Sequence, residues 1–100
     1  MSDKEEKKVE IRCSDQIANG VYANLGIANY NQEEFVLDFV FLQPHSQTGE
    51  IRSRVILHPN HAKRLVQMLS KNLENYESEY GEVSKLPDQN VDFPFDINFN

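Results

Sequence analysis

Residues 33–42, with the sequence EEFVLDFVFL, constrain the fold most, because they are apolar at both sets of alternating positions. A β-strand points successive side chains to opposite faces, so this run is typical of a central strand that is covered on both sides. Its odd face carries Phe35, Leu37, Phe39 and Phe41, and its even face carries Val36, Asp38, Val40 and Leu42. We expect one long helix to cover one face and a second subunit or a partner to cover the other.

The same alternation predicts strands before and after the central run. Residues 21–27 are apolar at every odd position, and residues 51–57 are apolar at every odd position except Ser53. Residues 9–13 alternate more weakly, which predicts a short edge strand. Residues 15–20 carry turn chemistry that ends in Gly20.

Two antiparallel hairpins join these strands, and their registers can be predicted from the apolar pattern. In the first hairpin we expect Tyr30 opposite Glu34, which places Gly26 opposite Asp38. In the second hairpin a register with Asp38 opposite Arg54 would pair the two charges.

A long helix is predicted from Pro59 to a C-terminal stop at Gly81. Proline suits the first turn of a helix, and glycine suits the position just after its end. Between them, the apolar residues recur three or four apart, namely Ala62, Leu65, Val66, Leu69, Leu73, Tyr76 and Tyr80. This stripe is expected to cover the odd face of the sheet.

The predicted fold class is therefore α+β, an antiparallel three- or four-stranded meander with one long helix packed on one face. We expect a homodimer, because the even face would expose Tyr22, Val36, Val40, Leu42 and Ile56. The predicted domains are a disordered N-terminal tail at 1–8, an interaction domain at 9–81 and an acidic, aromatic C-terminal tail at 82–100. Within that last tail five apolar residues alternate with polar ones, so it either joins its own sheet or waits for a partner.

Composition narrows the classes of function. The net charge of −6 argues against a general nucleic-acid binder, so nucleic-acid contact is expected only through a local basic patch. A single cysteine, Cys13, and the lack of a long apolar run predict a cytoplasmic protein without a membrane span. Because no catalytic motif or phosphate loop occurs, and no Cys or spaced acid completes a metal site with His58 and His61, we expect no enzyme activity, no metal and no cofactor.

The candidate partner-binding residues form three groups. Asp38 interrupts an apolar strand, so it either pairs with Arg52 or Arg54 or recognises a partner. Near the start of the helix, His61, Lys63 and Arg64 either form a basic patch with the two arginines or are ordinary solvated charges. In the tail, Phe93, Phe95 and Phe99 would contact a partner.

Several short pieces of this chain resemble a family of small prokaryotic proteins known only as a domain of unknown function. They are Tyr22-Ala23-Asn24, Glu34-Phe35, Leu37-Asp38-Phe39, Arg54-Val55, Pro59, His61-Ala62-Lys63-Arg64, Tyr76-Glu77 and Gly81-Glu82. The resemblance covers residues 9–83. In one bacterial group, similar members are encoded beside the genes for the largest RNA polymerase subunits, which implies a transcription-linked role.

These observations predict a non-enzymatic protein-interaction module that serves as an accessory of RNA polymerase. The alternative is a holdase chaperone that binds extended polypeptides. The order of elements is similar to that of the SecB-type export chaperone, which also combines an antiparallel sheet with a following long helix.

Overall fold

The computed structural model describes residues 7–84. A three-stranded sheet lies in a compact unit that ends at Ala62, and most of a long helix lies in a second unit that begins at Lys63. In chain order the elements are α1 (Asp15–Ala18), β1 (Leu25–Tyr30), β2 (Phe35–Leu42), β3 (Gly49–Leu57) and α2 (Pro59–Tyr80).

The sheet is an antiparallel meander in the order β1-β2-β3, so the run that is apolar on both faces is the central strand. Together with α2 it confirms the α+β class, with three strands among the described residues. Packing of the helix on one face of the sheet stays a prediction. In the second hairpin Asp38 lies opposite Arg54, as predicted, and beyond Phe39 the register shifts, which leaves Arg52 outside the paired positions.

The predicted register of the first hairpin is wrong by one residue. Tyr30 pairs with Phe35 rather than Glu34, and Ile27, not Gly26, lies opposite Asp38. The cause is the turn, in which the side-chain Oδ1 of Asn31 accepts hydrogen bonds from the backbone N–H groups of residues 33 and 34 at 2.8 and 3.0 Å. This side-chain cap lengthens the loop to four residues, so the odd positions of β1 lie on the even face of β2.

Burial is concentrated on the even face of the central strand. Asp38 is 3% exposed and Val40 is 5% exposed, whereas Phe39 on the odd face is 39% exposed. The expectation that Val40 belongs to an open surface is therefore wrong. In the central strand Val40 lies between Leu25 and Ile51, and side chains on neighbouring strands shield a small residue in that position.

The other residues of the expected open surface differ among themselves. Val36 and Leu42 are partly buried, whereas Ile56 is 58% exposed. Tyr22 is 72% exposed, and its ring lies 6.0 Å from that of Phe41 on the odd face, so placing Tyr22 on the even face is wrong. The even face is thus closed around its centre and open at Ile56.

The predicted edge strand at residues 9–13 is wrong. Val9 and Ile11 are 79% and 90% exposed, and no strand is assigned between residues 7 and 24. A short helical turn, α1, follows instead, because the hydroxyl of Ser14 accepts a hydrogen bond from the N–H of Ile17 at 3.3 Å. Gly20 then takes a positive φ of 76°.

The helix α2 agrees with its sequence pattern at both ends. Pro59 is its first residue, and Gly81 follows its last residue with φ of 103°. The N–H of Gly81 donates to the carbonyl of Glu77 at 2.9 Å, and the carboxylate of Glu77 accepts from the N–H of Val83 at 2.9 Å. The first of these bonds satisfies the carbonyl of Glu77, a group that a helix end otherwise leaves without a partner.

Candidate interaction surfaces of the sheet and the helix

Asp38 and Arg54 form a bidentate ion pair between β2 and β3. Arg54 donates through Nε to Oδ1 at 2.7 Å and through Nη2 to Oδ2 at 3.0 Å. The Asp38 side chain is 3% exposed, while that of Arg54 is 56% exposed. Both oxygens of the buried carboxylate thus accept a charge-assisted hydrogen bond, which offsets the cost of removing it from water.

The pair shifts the titration of both groups. Hydrogen bonds from Arg54 lower the pKa of Asp38, desolvation opposes this effect, and the positive charge of Arg54 adds to it. The same hydrogen bonds raise the pKa of Arg54. Because a guanidinium has five N–H donors and Asp38 takes two, the exposed side of Arg54 is able to donate to a partner as well.

Arg52 has a different acidic neighbour. Its Nη1 lies 3.5 Å from Oε1 of Glu50, and both side chains are largely exposed. Beside them is a shallow cavity of about 190 Å³, lined by Phe41, Gln43, Thr48, Gly49, Glu50 and Arg52. Of the two arginines that were candidates for Asp38, the structure therefore pairs Arg54 with it and places Arg52 beside Glu50.

The start of α2 is organised by His58. Its Nδ1 accepts a hydrogen bond from the N–H of Asn60 at 3.1 Å, and its carbonyl accepts from the N–H of Ala62 at 3.0 Å. His58 thus acts as an N-cap, a role that the sequence analysis missed because histidine is not a common residue there. The ring of His61 lies 6.0 Å from that of His58.

The basic patch expected near the start of α2 stays a prediction. His61, Lys63 and Arg64 are exposed on the first turns of α2. Arg52 and Arg54 each have a carboxylate beside them, which lowers the positive charge they would bring to such a patch. Within residues 7–84, no three His, Cys, Asp or Glu side chains lie close enough together to hold a metal ion.

The odd face of the sheet has an apolar, partly open centre. Phe39 is 39% exposed and Val55 is 38% exposed. At one end Tyr30 stacks on Phe35, with ring centroids 5.5 Å apart. On this face Tyr30, Ala28 and Gly26 of β1 lie opposite Phe35, Leu37 and Phe39 of β2, in that order. The same three residues of β2 lie opposite Leu57, Val55 and Ser53 of β3.

Asn24 is a second residue whose role sequence reasoning missed. Its side-chain amide donates to the carbonyl of Leu42 at 3.1 Å and accepts from the N–H of Leu42 at 2.8 Å. The side chain thus replaces the backbone of a strand and extends the pairing of β1 with the end of β2. Periodicity carries no signal for such a contact, although Asn24 belongs to the Tyr22-Ala23-Asn24 piece of the family resemblance.

The predicted contacts of Phe93, Phe95 and Phe99 lie outside the described residues, as does most of the predicted tail at 82–100. Among the described residues, no helix combines the length and the apolar character needed to cross a bilayer.

Comparison with known proteins gives a family but no function. Neither the curated proteins nor the solved structures yield a significant match. A family model described as "Protein of unknown function (DUF3467)" matches residues 1–85, which is most of the chain. The chain therefore belongs to the DUF3467 family of proteins of unknown function.

Proposed function

We propose that this chain is a non-enzymatic protein-interaction module that acts in the cytoplasm. One observation carries the proposal. Among residues 7–84, the buried apolar side chains are those of Val40 and Ala62, whereas many large apolar side chains on the sheet and the helix are exposed. Burying apolar surface is the main favourable term in protein association, so these surfaces favour a partner.

The odd face of the sheet is the surface we assign to that partner. Phe39 and Val55 lie near its centre, where a partner's apolar side chains would exclude water from both. Contacts at the centre of an interface carry most of its binding energy. Arg54, on the opposite face and already paired, is outside this surface.

RNA polymerase is the first partner to test, because the family resemblance implies a transcription-linked role. In this proposal the chain is an accessory protein of the polymerase, and its odd face contacts an apolar patch on one subunit. The acidic net charge of −6 is consistent with a protein partner rather than with the nucleic acid of the transcription complex.

The test measures binding of the purified full chain to core RNA polymerase by biolayer interferometry. A Phe39→Thr/Val55→Thr variant should bind about tenfold or more weakly, since it removes apolar contacts from the centre of the surface. Ile56→Thr is the matched control, because Ile56 is exposed on the same strand but lies on the even face. Circular dichroism checks that each variant folds.

Three outcomes would overturn this assignment. The first is that the wild-type chain does not bind the polymerase, and the second is that the odd-face variant binds it as tightly as the wild type. The third is that Ile56→Thr weakens binding as much as the odd-face variant does. The alternative, a holdase chaperone, is tested with the same proteins by light scattering of an unfolded client. It draws support from β1 and β3, which are edge strands within the described sheet and offer backbone groups to an extended peptide.

A further inference from the structure

The helix α2 also carries an apolar surface. Its residues are spaced alternately three and four apart, which is the spacing that lines one side of a coiled-coil helix. Each is about half exposed or more, with 63% for Val66, 55% for Leu69, 50% for Leu73, 49% for Tyr76 and 70% for Tyr80. We call these five residues the helix seam. Ala62, the preceding position in the same spacing, is buried within its own chain and is not part of the seam.

The charges near the two ends of α2 are arranged against its own dipole. Lys63 and Arg64 lie in its first turns, near the positive end, while the glutamates Glu74, Glu77 and Glu79 lie toward the negative end. Each such placement disfavours an isolated helix. A second helix of the same sequence that runs antiparallel reverses this, since each basic end then lies beside the acidic end and the negative dipole end of the other.

A parallel pair would instead bring the two basic ends together at one end of the pair and the two acidic ends together at the other. The charge pattern therefore favours the antiparallel direction. We propose that α2 pairs antiparallel with α2 of a second copy of this chain through the helix seam.

Four of the five seam residues pair with one another in one antiparallel register, and Tyr80 lies outside these pairs. With Leu69 opposite the partner's Leu73, Val66 lies opposite the partner's Tyr76, so a small side chain meets a large one. In the same register Lys63 lies beside the partner's Glu77, at the positions that flank the seam. The carboxylate of Glu77 accepts one bond from the N–H of Val83 and has acceptor capacity left for a lysine.

The self-association test uses the full chain in sedimentation equilibrium over a dilution series. The wild type should show a monomer–dimer equilibrium. Leu69→Gln and Leu73→Gln should each weaken the dimer about tenfold or more, since each change removes two apolar contacts from a symmetric interface. Glutamine keeps a high helix propensity, so the helix itself is retained.

Met68→Gln is the matched control, because Met68 is 55% exposed and lies on α2 beside the seam but not in it. It should leave the dimer unchanged. A wild-type chain that stays monomeric at every concentration would overturn the proposal, and so would equal weakening by Met68→Gln. A monomer whose unfolding midpoint falls with Leu69→Gln would instead show that the seam packs within its own chain.

The direction of the pair has its own test. Lys63→Glu places a negative charge beside the partner's Glu77 and should weaken the dimer about two- to tenfold in low salt. Arg64→Glu changes the same charge one residue away, on the side of the helix that faces out of the pair, and should have little effect. Equal effects of the two reversals would overturn the antiparallel arrangement. This inference does not depend on the proposed function, because the seam variants leave the odd face of the sheet intact.

Discussion

Asp38 is a charged residue in the middle of an apolar strand, so the stability of the fold depends on its pairing with Arg54. Removing the arginine alone leaves a buried carboxylate without its two donors, and removing the carboxylate alone leaves the arginine without its acceptor. We expect Arg54→Gln and Asp38→Asn each to lower the free energy of unfolding, and the double variant to lower it by less than the sum. Urea unfolding in a double-mutant cycle measures this coupling.

Arg52→Gln is the control for that cycle. The Arg52–Glu50 pair is largely exposed, and pairs of this kind contribute little to stability. Arg52→Gln should therefore have a small effect, and it should add to the effect of Asp38→Asn. Additive effects of Asp38→Asn and Arg54→Gln would contradict the ion pair as a stabilising unit.

The lowered pKa of Asp38 predicts how stability depends on pH. In the unfolded chain the carboxyl titrates near its ordinary value of 3.8, and in the folded chain it titrates lower, so the unfolded chain binds more protons between the two values. The contribution of the pair is complete above the unfolded value and is lost as the pH falls through the folded one. The thermal midpoint should therefore fall more steeply below about pH 5 in the wild type than in Asp38→Asn. Equal slopes would contradict the prediction.

At the scale of single residues, the sequence predicted the pairing correctly where the apolar pattern of one strand lies opposite that of the next. The second hairpin aligns Asp38 with Arg54 because any other nearby register separates the two charges or mismatches the faces. In the first hairpin the decisive group is the side-chain oxygen of Asn31, which accepts two backbone N–H groups and sets the loop length. A pattern of apolar residues does not contain that information, so the register was missed by one.

Asn24 shows how a single side chain defines the end of an element. Its amide replaces a strand backbone by making both a donor and an acceptor bond with Leu42. Asn24→Ala loses both bonds and should lower the free energy of unfolding by about 1 to 2 kcal/mol, as judged from the usual net value of a hydrogen bond. Chemical denaturation measures the change.

Asn29→Ala is a suitable comparison for Asn24, since it makes the same chemical change at an exposed position in the same β-hairpin. It should have the smaller effect. Faster amide exchange at Leu42 in Asn24→Ala would locate the loss at the end of β2. Unchanged exchange there would contradict the role assigned to Asn24.

The elements themselves were predicted best where the period was sustained. The helix α2 has the predicted start at Pro59 and stop at Gly81. Its twenty-two residues begin with Pro59 and are followed by Gly81, and both of these residues have firm backbone preferences. The alternation at residues 9–13 was too short to specify a strand. A strand needs a neighbouring strand to bond with, and Ile11, which is 90% exposed, lies in a segment with no strand assigned between residues 7 and 24.

For the whole molecule, what covers the apolar surfaces is decided by contacts that a sequence pattern does not contain. Alternation identified the odd face and the helix stripe correctly as apolar surfaces, and Phe39, Leu69 and Leu73 are each substantially exposed. Packing of the helix stripe on the sheet stays a prediction. A surface of this kind is compatible with a marginally stable chain that gains stability by association.

This view predicts that stability depends on protein concentration. If folded chains pair through α2 and unfolded chains do not, mass action makes the thermal midpoint rise as the protein becomes more concentrated. We expect this rise for the wild type and for Met68→Gln, and its loss in Leu69→Gln, when each is followed by circular dichroism over a wide range of concentrations. Adding the partner of the odd face should raise the midpoint of all three chains alike, because that surface is unchanged in them. A midpoint of the wild type that is independent of concentration would show that its stability comes from contacts within one chain.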